Sequence, residues 1–320
     1  MSVDQEIEYR DPLTKAPLVD NGAKLRCSVS GRSYPIVGKI PRFVPQVNYA
    51  DNFGDQWNVF HRTQLDRNTE TSISRDRLFS GTEWAPEELA GASVLEVGCG
   101  AGRFTAEFLK LGTKVWSVDY SNAVEACYKN NMPHENLHLA QADVYNLPFS
   151  AGLFDYVFMY GVVQHTPDPQ KTIKAIIDMT KPGGRAAFDS YVSCVNNRWT
   201  SKYKWRWLTT IIPPRLLRGI VAWYIPKWIK VDDWLGRHSK QIQQYVATWI
   251  PCYNYRGIYK LDDKALVEWA ILDTYDALGA YYDKPFSRVD LAKFLSGVPG
   301  ISYSIKRGGI GLEVSIAKAV

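Results

Sequence analysis

Three stretches of this sequence hold residues whose types and spacing can do chemistry. The first is Val94-Leu-Glu-Val-Gly98-Cys-Gly100-Ala-Gly102-Arg103-Phe104, an apolar run entering a glycine-rich turn. Glycine lets a ligand approach the backbone closely, and a helix opening after such a turn offers free N–H groups. The spacing is G-x-G-x-G, with Arg103 where a dinucleotide-binding turn has its third glycine. A ligand without a pyrophosphate therefore fits better than NAD, and hydride transfer is disfavoured. The second stretch is acidic. Asp119 stands 21 residues after Gly98 and closes Val115-Trp-Ser-Val-Asp119. An acid at a strand end can accept both hydroxyls of a ribose. Asp143, in Gln141-Ala-Asp-Val-Tyr-Asn-Leu-Pro148-Phe149, is placed to accept from an adenine amino group. The third stretch, Met159-Tyr-Gly-Val-Val-Gln-His165-Thr-Pro-Asp168, carries His165, whose neutral imidazole can take a proton from a hydroxyl.

The elements that must position these residues alternate. Strands are expected at Ser93–Val97, Lys114–Val118, Leu137–Ala140, Phe154–Met159 and Arg185–Ser190. Between them, Phe104, Phe108 and Leu111 share one helical face, and Asn122 with Glu125 looks like a capping box. Asp168-Pro169 is a helix start with Ile173, Ile176 and Ile177 inward, and Lys181-Pro-Gly-Gly184 ends that helix. Strands alternating with helices imply an α/β fold with a parallel, doubly wound sheet. Residues 191–286 break the rhythm and read as an aromatic, basic insertion over the ligand edge of the sheet. It resumes at Ser287-x-x-Asp290, a cap for a helix with Leu291, Phe294 and Leu295 inward. Strands Ile301–Ile305 and Leu312–Ala317 then follow, and Lys306-Arg-Gly-Gly309 is too short for a parallel crossover, so they must be antiparallel. Residues 51–90 read as a helical lid or linker. Residues 1–50, broken by Pro and Gly, read as a small β-rich module.

Together, the glycine turn, the two acids, Lys181-Pro-Gly-Gly184 and the closing antiparallel pair resemble the class I S-adenosylmethionine-dependent methyltransferase superfamily. The resemblance covers 91–190 and 287–320. It implies a seven-stranded Rossmann-like sheet with an antiparallel last strand, S-adenosyl-L-methionine as cofactor and S-adenosyl-L-homocysteine as product. It sets Gly98, Gly100 and Gly102 against the methionine part, Asp119 on the ribose and Asp143 on the adenine. Glu96 holds the turn or the sugar, Arg103 reaches the carboxylate, and Tyr120, Val144 and Tyr160 join the same wall. The edge carrying His165 faces the transferred methyl and lacks the Asn/Asp-Pro-Pro-aromatic motif of nucleobase-amine enzymes. It resembles the small-molecule branch, with His165 as general base and His238, Asp276, Tyr281, Tyr282 and Asp283 as other candidates. In Phe53-Gly-x-Gln56-Trp57-x-x-Phe60, Gln56 and Trp57 are expected to cover the methyl end. The N-terminal module resembles the zinc-ribbon partner domain of tRNA and protein methyltransferases, through Tyr34-Pro-Ile-x-x-x-Ile-Pro41-x-Phe-Val. Its four cysteine positions fall on Asp11, Thr14, Cys27 and Ser30, so no zinc or other metal is expected, and the module is read as a scaffold or dimer element.

The 320 residues carry a net charge of +5, from 38 Lys+Arg and 33 Asp+Glu. Between Arg198 and Lys230 stand eight Lys/Arg, no acid and five of the eleven tryptophans; without that stretch the balance is 30 against 33. The basicity is local and short, which disfavours nucleic acid as a partner. The segment suits a membrane-surface helix at 215–224, a pocket for a phosphorylated or lipid-linked acceptor, with Arg215, His238, Tyr281 and Tyr282 as substrate contacts, or a helical cap with a solvated face. Five scattered cysteines without a C-x-x-C pair argue against a disulfide scaffold, and the polar, acidic Met1–Arg10 is no signal peptide, so a cytoplasmic location is expected. The favoured function is O-methylation of a small-molecule or sugar acceptor. The rivals are an RNA or protein methyltransferase and a non-catalytic cofactor-binding regulator, and a homodimer is a further expectation.

Overall fold

The computed structural model describes residues 7–45, 48–193 and 200–320, so Met1–Glu6, Cys194, and Arg198 and Trp199 at the head of the basic segment lie outside the described residues. The central strands are β-branched or aromatic runs, and β5 (Ser93–Val97) is buried along its whole length, as a strand covered on both faces must be. After the first four strands described below, the sheet is built from β5, β6 (Lys114–Asp119), β7 (Leu137–Gln141), β8 (Phe154–Met159), β9 (Thr180–Tyr191), β10 (Ile301–Arg307) and β11 (Gly311–Lys318). Their order is β10-β11-β9-β8-β5-β6-β7. The first five pair in parallel, while β11 runs antiparallel to both β9 and β10, as the short turn requires. This is a doubly wound, seven-stranded mixed sheet of the kind the sequence resemblance implied. The chain moves outward from β5 through β6 to β7, then returns to the other side of β5 at β8. That reversal opens a crevice at the carboxyl ends of β5 and β8, where the glycine turn and Asp119 stand.

Helices α4 (Arg103–Lys110) and α6 (Pro169–Met179) cover the sheet with faces led by Phe104 and Phe108, and by Ile173, Ile176 and Ile177. The Asp168 carboxylate caps α6 by accepting from the Lys171 N–H at 3.0 Å. Two boundaries differ from the sequence reading. Helix α5 (Val124–Asn131) has Ala123 at its cap, and Glu125 pairs with Arg42 at 3.1 Å instead of closing a capping box. Strand β9 begins at Thr180: Phe154 faces Thr180 but Tyr156 faces Arg185, so Lys181–Gly184 bulges out of the ladder.

The N-terminal segment is an antiparallel meander, β1 (Leu18–Asp20), β2 (Lys24–Cys27), β3 (Ser33–Val37) and β4 (Ile40–Pro41). It covers the open edge at β7, where the Phe43 N–H donates to the Gln141 carbonyl at 2.8 Å and Arg42 Nη1 to Gln141 Oε1 at 3.2 Å. The four ribbon positions do converge. Asp11 accepts from the Thr14 N–H at 2.8 Å, Ser30 Oγ at 2.7 Å and Tyr34 Oη at 3.0 Å, and the Ser30 N–H meets Cys27 Sγ at 3.3 Å. Burial opposes charge on Asp11, but these donated hydrogen bonds outweigh it and hold the carboxyl well below the usual range. A hydrogen-bonded carboxylate thus ties the loops together. Among the described residues no cluster of three or more His, Cys, Asp or Glu gathers.

Short helices α1 (Asp51–Val59), α2 (Asp66–Thr69) and α3 (Ile73–Thr82) link meander to sheet. The insertion folds as α7 (Ser201–Thr209), α8 (Pro214–His238), α9 (Lys240–Ala247) and α10 (Asp263–Gly279), before α11 (Arg288–Ser296). Its entry and exit are pinned together, the Ser193 N–H donating to the Phe286 carbonyl at 2.7 Å. Leu217, Val221, Ile225 and Ile229 of α8 pack on Ala270, Tyr275 and Leu278 of α10, a core separate from those of the sheet.

Candidate functional site

One cavity of about 720 Å³ runs from the glycine turn to the insertion. That lies within the range of small-molecule sites, roughly 300–1,000 Å³. At one end the wall is backbone. Gly98 and Gly100 have φ of +79° and +52°, which glycine adopts without strain. A Cβ on Gly98 would lie 2.2 Å from Val162 Cγ2, and one on Gly100 would lie 3.2 Å from the Trp57 ring. Asp119, at the end of β6, accepts from the Gly100 N–H at 3.0 Å through one oxygen, and from the Ser121 N–H and Oγ at 2.9 and 2.7 Å through the other. An ionised carboxylate has about four acceptor sites, so capacity remains for a ligand hydroxyl. Burial raises the Asp119 carboxyl, against these hydrogen bonds. Asp143 starts the turn after β7, its carboxylate accepting from the Tyr145 N–H at 3.0 Å. It lines the cavity with Val144, Tyr120 and Tyr160.

Helix α1 lays Phe53, Gln56 and Trp57 along one face, at i, i+3 and i+4, and all three reach the cavity. Gln56 Nε2 donates to Asp276 Oδ1 at 3.1 Å, Asn52 Nδ2 to the Gly279 carbonyl at 2.8 Å, and Arg218 pairs with Asp55 at 3.0 Å. Helix α1 is therefore tied to the insertion at three points.

Aromatic and acidic side chains form the far end. Tyr191, Tyr203, Tyr253, Tyr255, Tyr259 and Trp269 line it with Asp273 and Asp276. Burial raises the Tyr191, Tyr203, Tyr253 and Tyr255 hydroxyls, so at neutral pH they are donors, not bases. Asp273 accepts from Trp269 Nε1 and Gln64 Nε2, each at 3.1 Å, and from Tyr255 Oη. Burial pushes its carboxyl up to about 6. Gln64 in turn accepts from Arg103 Nη1 at 2.7 Å, so an Arg103–Gln64–Asp273 chain spans from turn to insertion.

His165 stands between the two ends, its ring 5.3 Å from Phe53 and 5.4 Å from Tyr191. Its Nδ1 lies 2.9 Å from the Tyr282 carbonyl. A carbonyl can only accept, so Nδ1 carries the proton and Nε2 is left as the acceptor. Burial lowers the imidazole below its usual value, against the pull of Asp276, so the ring is neutral at pH 7.

The structure brings together Gly98, Gly100, Arg103, Asp119, Tyr120, Asp143, Val144, Tyr160, Gln56, Trp57, His165 and Asp276. Others fall elsewhere. Glu96 is buried behind the turn, where Ser117 Oγ at 2.6 Å and Thr105 Oγ1 donate to it, and burial pushes its carboxyl up to about 7. It braces the turn and does not line the cavity. Gly102 is also off the cavity wall: a Cβ there would meet Asn131 Nδ2 at 2.3 Å and Cys127 Sγ at 2.6 Å, so this glycine serves the packing of α4 on α5. Four proposed substrate contacts are corrected. His238 and Arg215 are exposed on α8, the His238 ring tilted against Trp234 with centroids 4.4 Å apart. Tyr281 is exposed with its ring against Tyr282, and Tyr282 contributes its carbonyl to His165 and its ring to Tyr49. The Asp283 side chain does not line the cavity but is buried behind its wall, paired at 2.9 Å with the cavity's Lys202. Sequence reasoning missed Gln64, Asp273 and Tyr191. Asp273 could have been found from its i, i+3 relation to Asp276 on α10, and Tyr191 from its place at a strand's carboxyl end; nothing local marks Gln64.

The residues present fit S-adenosylmethionine. Arg103 lines the cavity, pairs with no carboxylate among the described residues, and is lowered to about 10 by burial and by Arg77, so an anionic ligand group beside it would supply the missing counter-charge. Asp119 offers a carboxylate to hydroxyls, and the two glycines leave room for close approach.

A family model described as "Methyltransferase domain" matches residues 95–188. Over 104 residues the chain is 34% identical to a ubiquinone biosynthesis O-methyltransferase of Coxiella burnetii, covering 32% of this chain and 44% of the relative. It is 33% identical over 105 residues to the Nitrosococcus oceani protein of that name, covering 32% and 44%. The chain thus spans less than half the length of these curated relatives. Among solved structures, a SAM-dependent methyltransferase from Methanosarcina mazei aligns with 16% identity over 72% of this chain and 93% of its own, at a TM-score of 0.41. Residues 95–188, which carry the glycine turn and the parallel strands from β5 to β9, therefore match a methyltransferase domain.

Proposed function

We propose that this chain transfers a methyl group from S-adenosylmethionine to a hydroxyl of a small-molecule or sugar acceptor. When bound, the cofactor supplies an electrophilic methyl on a sulfonium. What the protein must add is alignment, exclusion of water and a place for the hydroxyl proton. Asp119, Asp143 and Arg103 hold the cofactor's sugar, base and carboxylate. The α1 face bearing Phe53, Gln56 and Trp57 closes over the reacting end. Tyrosine hydroxyls and the faces of Trp269 and Tyr259 orient a ring-bearing acceptor, and His165 Nε2 takes its proton as the oxygen attacks.

The observation that carries this reading is the fixed tautomer of His165, neutral, on the wall of a cavity shared by glycine turn and insertion. Oxygen as the acceptor atom is supported by the O-methyltransferase names of the relatives over the core. A phosphorylated handle is less well supported, because the cavity's Lys202 pairs with Asp283 and its Arg77 with Asp189, while Arg215 lies outside. The test is transfer of label from methyl-labelled S-adenosylmethionine to a small product. With His165→Gln, turnover should fall by about 10²–10⁴, with cofactor affinity by calorimetry unchanged. Undiminished turnover in that variant removes the base assignment, and label transfer to RNA or protein alone would overturn the acceptor class.

A further inference from the structure

Helix α8 has two apolar faces, and only one is used by the fold. At 100° per residue, Leu217, Val221, Ile225 and Ile229 form the buried stripe, and Leu216, Ile220, Trp223 and Trp234 fall within an arc of about 60° on the opposite side. Leu216, Trp223 and Trp234 are 57%, 68% and 57% exposed. Lys227 lies within the same arc and Lys230 about 20° beyond its edge, and the Lys227 ammonium sits 3.7 Å over the Trp223 ring. The charges of the helix are sorted as well. Asp232 accepts from Gln243 and Asn254, and Asp233 pairs with Arg256 at 2.6 Å, so both acids are occupied within the insertion. No ion pair joins Arg215, Lys227, Lys230 or Arg237 to an acid among the described residues.

We propose that this outward face of α8 docks on an anionic lipid bilayer, with the helix lying in the interface plane. Tryptophan and aliphatic side chains beside unpaired lysines match the headgroup boundary, where rings enter the apolar layer and ammonium groups meet phosphates. The charge is complementary to an anionic surface and confined to this segment, since the rest of the chain is net acidic. No described helix is long and apolar enough to cross a membrane, so the contact is with one leaflet. The lipid-facing stripe lies opposite the side of α8 that packs on α10, the helix carrying Asp273 and Asp276. Docking therefore leaves the cavity wall in place. The inference does not depend on the identity of the acceptor.

The test uses the full chain and co-sedimentation with vesicles of phosphatidylcholine alone or mixed with phosphatidylglycerol. The chain should pellet with the mixed vesicles, less so at high salt. Partitioning should fall at least about ten-fold in the double variant Lys227→Glu, Lys230→Glu, and also in Trp223→Glu, Trp234→Glu, with melting temperatures unchanged because all four side chains face solvent. A chain that stays in the supernatant with phosphatidylglycerol vesicles, or variants that bind like the parent, would overturn the proposal. So would sedimentation showing a dimer that the tryptophan variant dissociates, which would assign the face to a second copy of the chain.

Discussion

The two ends of the cavity are built by different means. The glycine-turn end is made of backbone and of carboxylates fixed at strand ends, most of it between residues 98 and 144, with Trp57 and Tyr160 closing its sides. The insertion end is made of side chains from 191 to 276, reached over long stretches of chain and held by hydrogen bonds to α1 and to Gln64. Backbone walls cannot be re-drawn by ordinary substitution, whereas side-chain walls can. The first end therefore suits a ligand that does not change, and the second suits an acceptor that differs from one enzyme to the next. The Arg103–Gln64–Asp273 chain is where the two meet.

That contrast can be broken at the turn first. Gly98→Ala forces a Cβ to within 2.2 Å of Val162 and a positive φ on alanine, so it should destabilise the fold by about 2–5 kcal/mol and abolish cofactor binding. Thermal melting and calorimetry together check it, and a normal melt with normal affinity would show that the turn yields where we expect it to be rigid. Asp119→Asn keeps the shape but removes the charge we assign to the ribose hydroxyls. Losing charge-assisted hydrogen bonds worth about 1.5–3 kcal/mol should weaken cofactor binding by roughly 10- to 100-fold, without changing which acceptor is taken. Equal affinity would move the sugar elsewhere.

The smallest effect belongs to the insertion end. The Asp273 carboxyl is raised to about 6 in the folded chain, above the ordinary carboxylate value of about 3.9. Between those pH values the native state holds a proton that the unfolded chain releases, so this residue makes stability fall as pH rises from about 4 to about 6. Asp273→Asn should remove that slope, on the order of 1–3 kcal/mol. Melting temperatures of the two proteins should therefore separate as pH rises from about 4 to about 6, the parent losing stability that the variant keeps, and run parallel above about pH 6. Curves parallel through that rise as well would mean that the carboxyl is not held protonated by its surroundings.

Particular elements show what could be read in advance. The core strands, the Asp168-Pro169 helix start, the Ser287 cap and the antiparallel closing pair were legible because each is fixed by local sequence: an apolar run, a side chain within four residues, a turn too short for any other connection. The glycine turn was legible for the same reason. His238, Arg215 and Tyr281 had suitable types for a site, but nothing local told which face of the insertion each would occupy, and all three proved exposed. Asp11 and Ser30 stood in for cysteines on sequence grounds, and the structure gave them a positive role as the hydrogen-bonded centre of the N-terminal loops.

By itself, the sequence determined the sheet, its ligand edge and the cofactor end of the cavity, since backbone conformation and strand-end position follow from short-range spacing. Only the tertiary structure decided the acceptor end. There Gln64, Tyr191, Asp273 and His165 act through partners far away in the chain, and their protonation and hydrogen bonding are set by burial that no local pattern records.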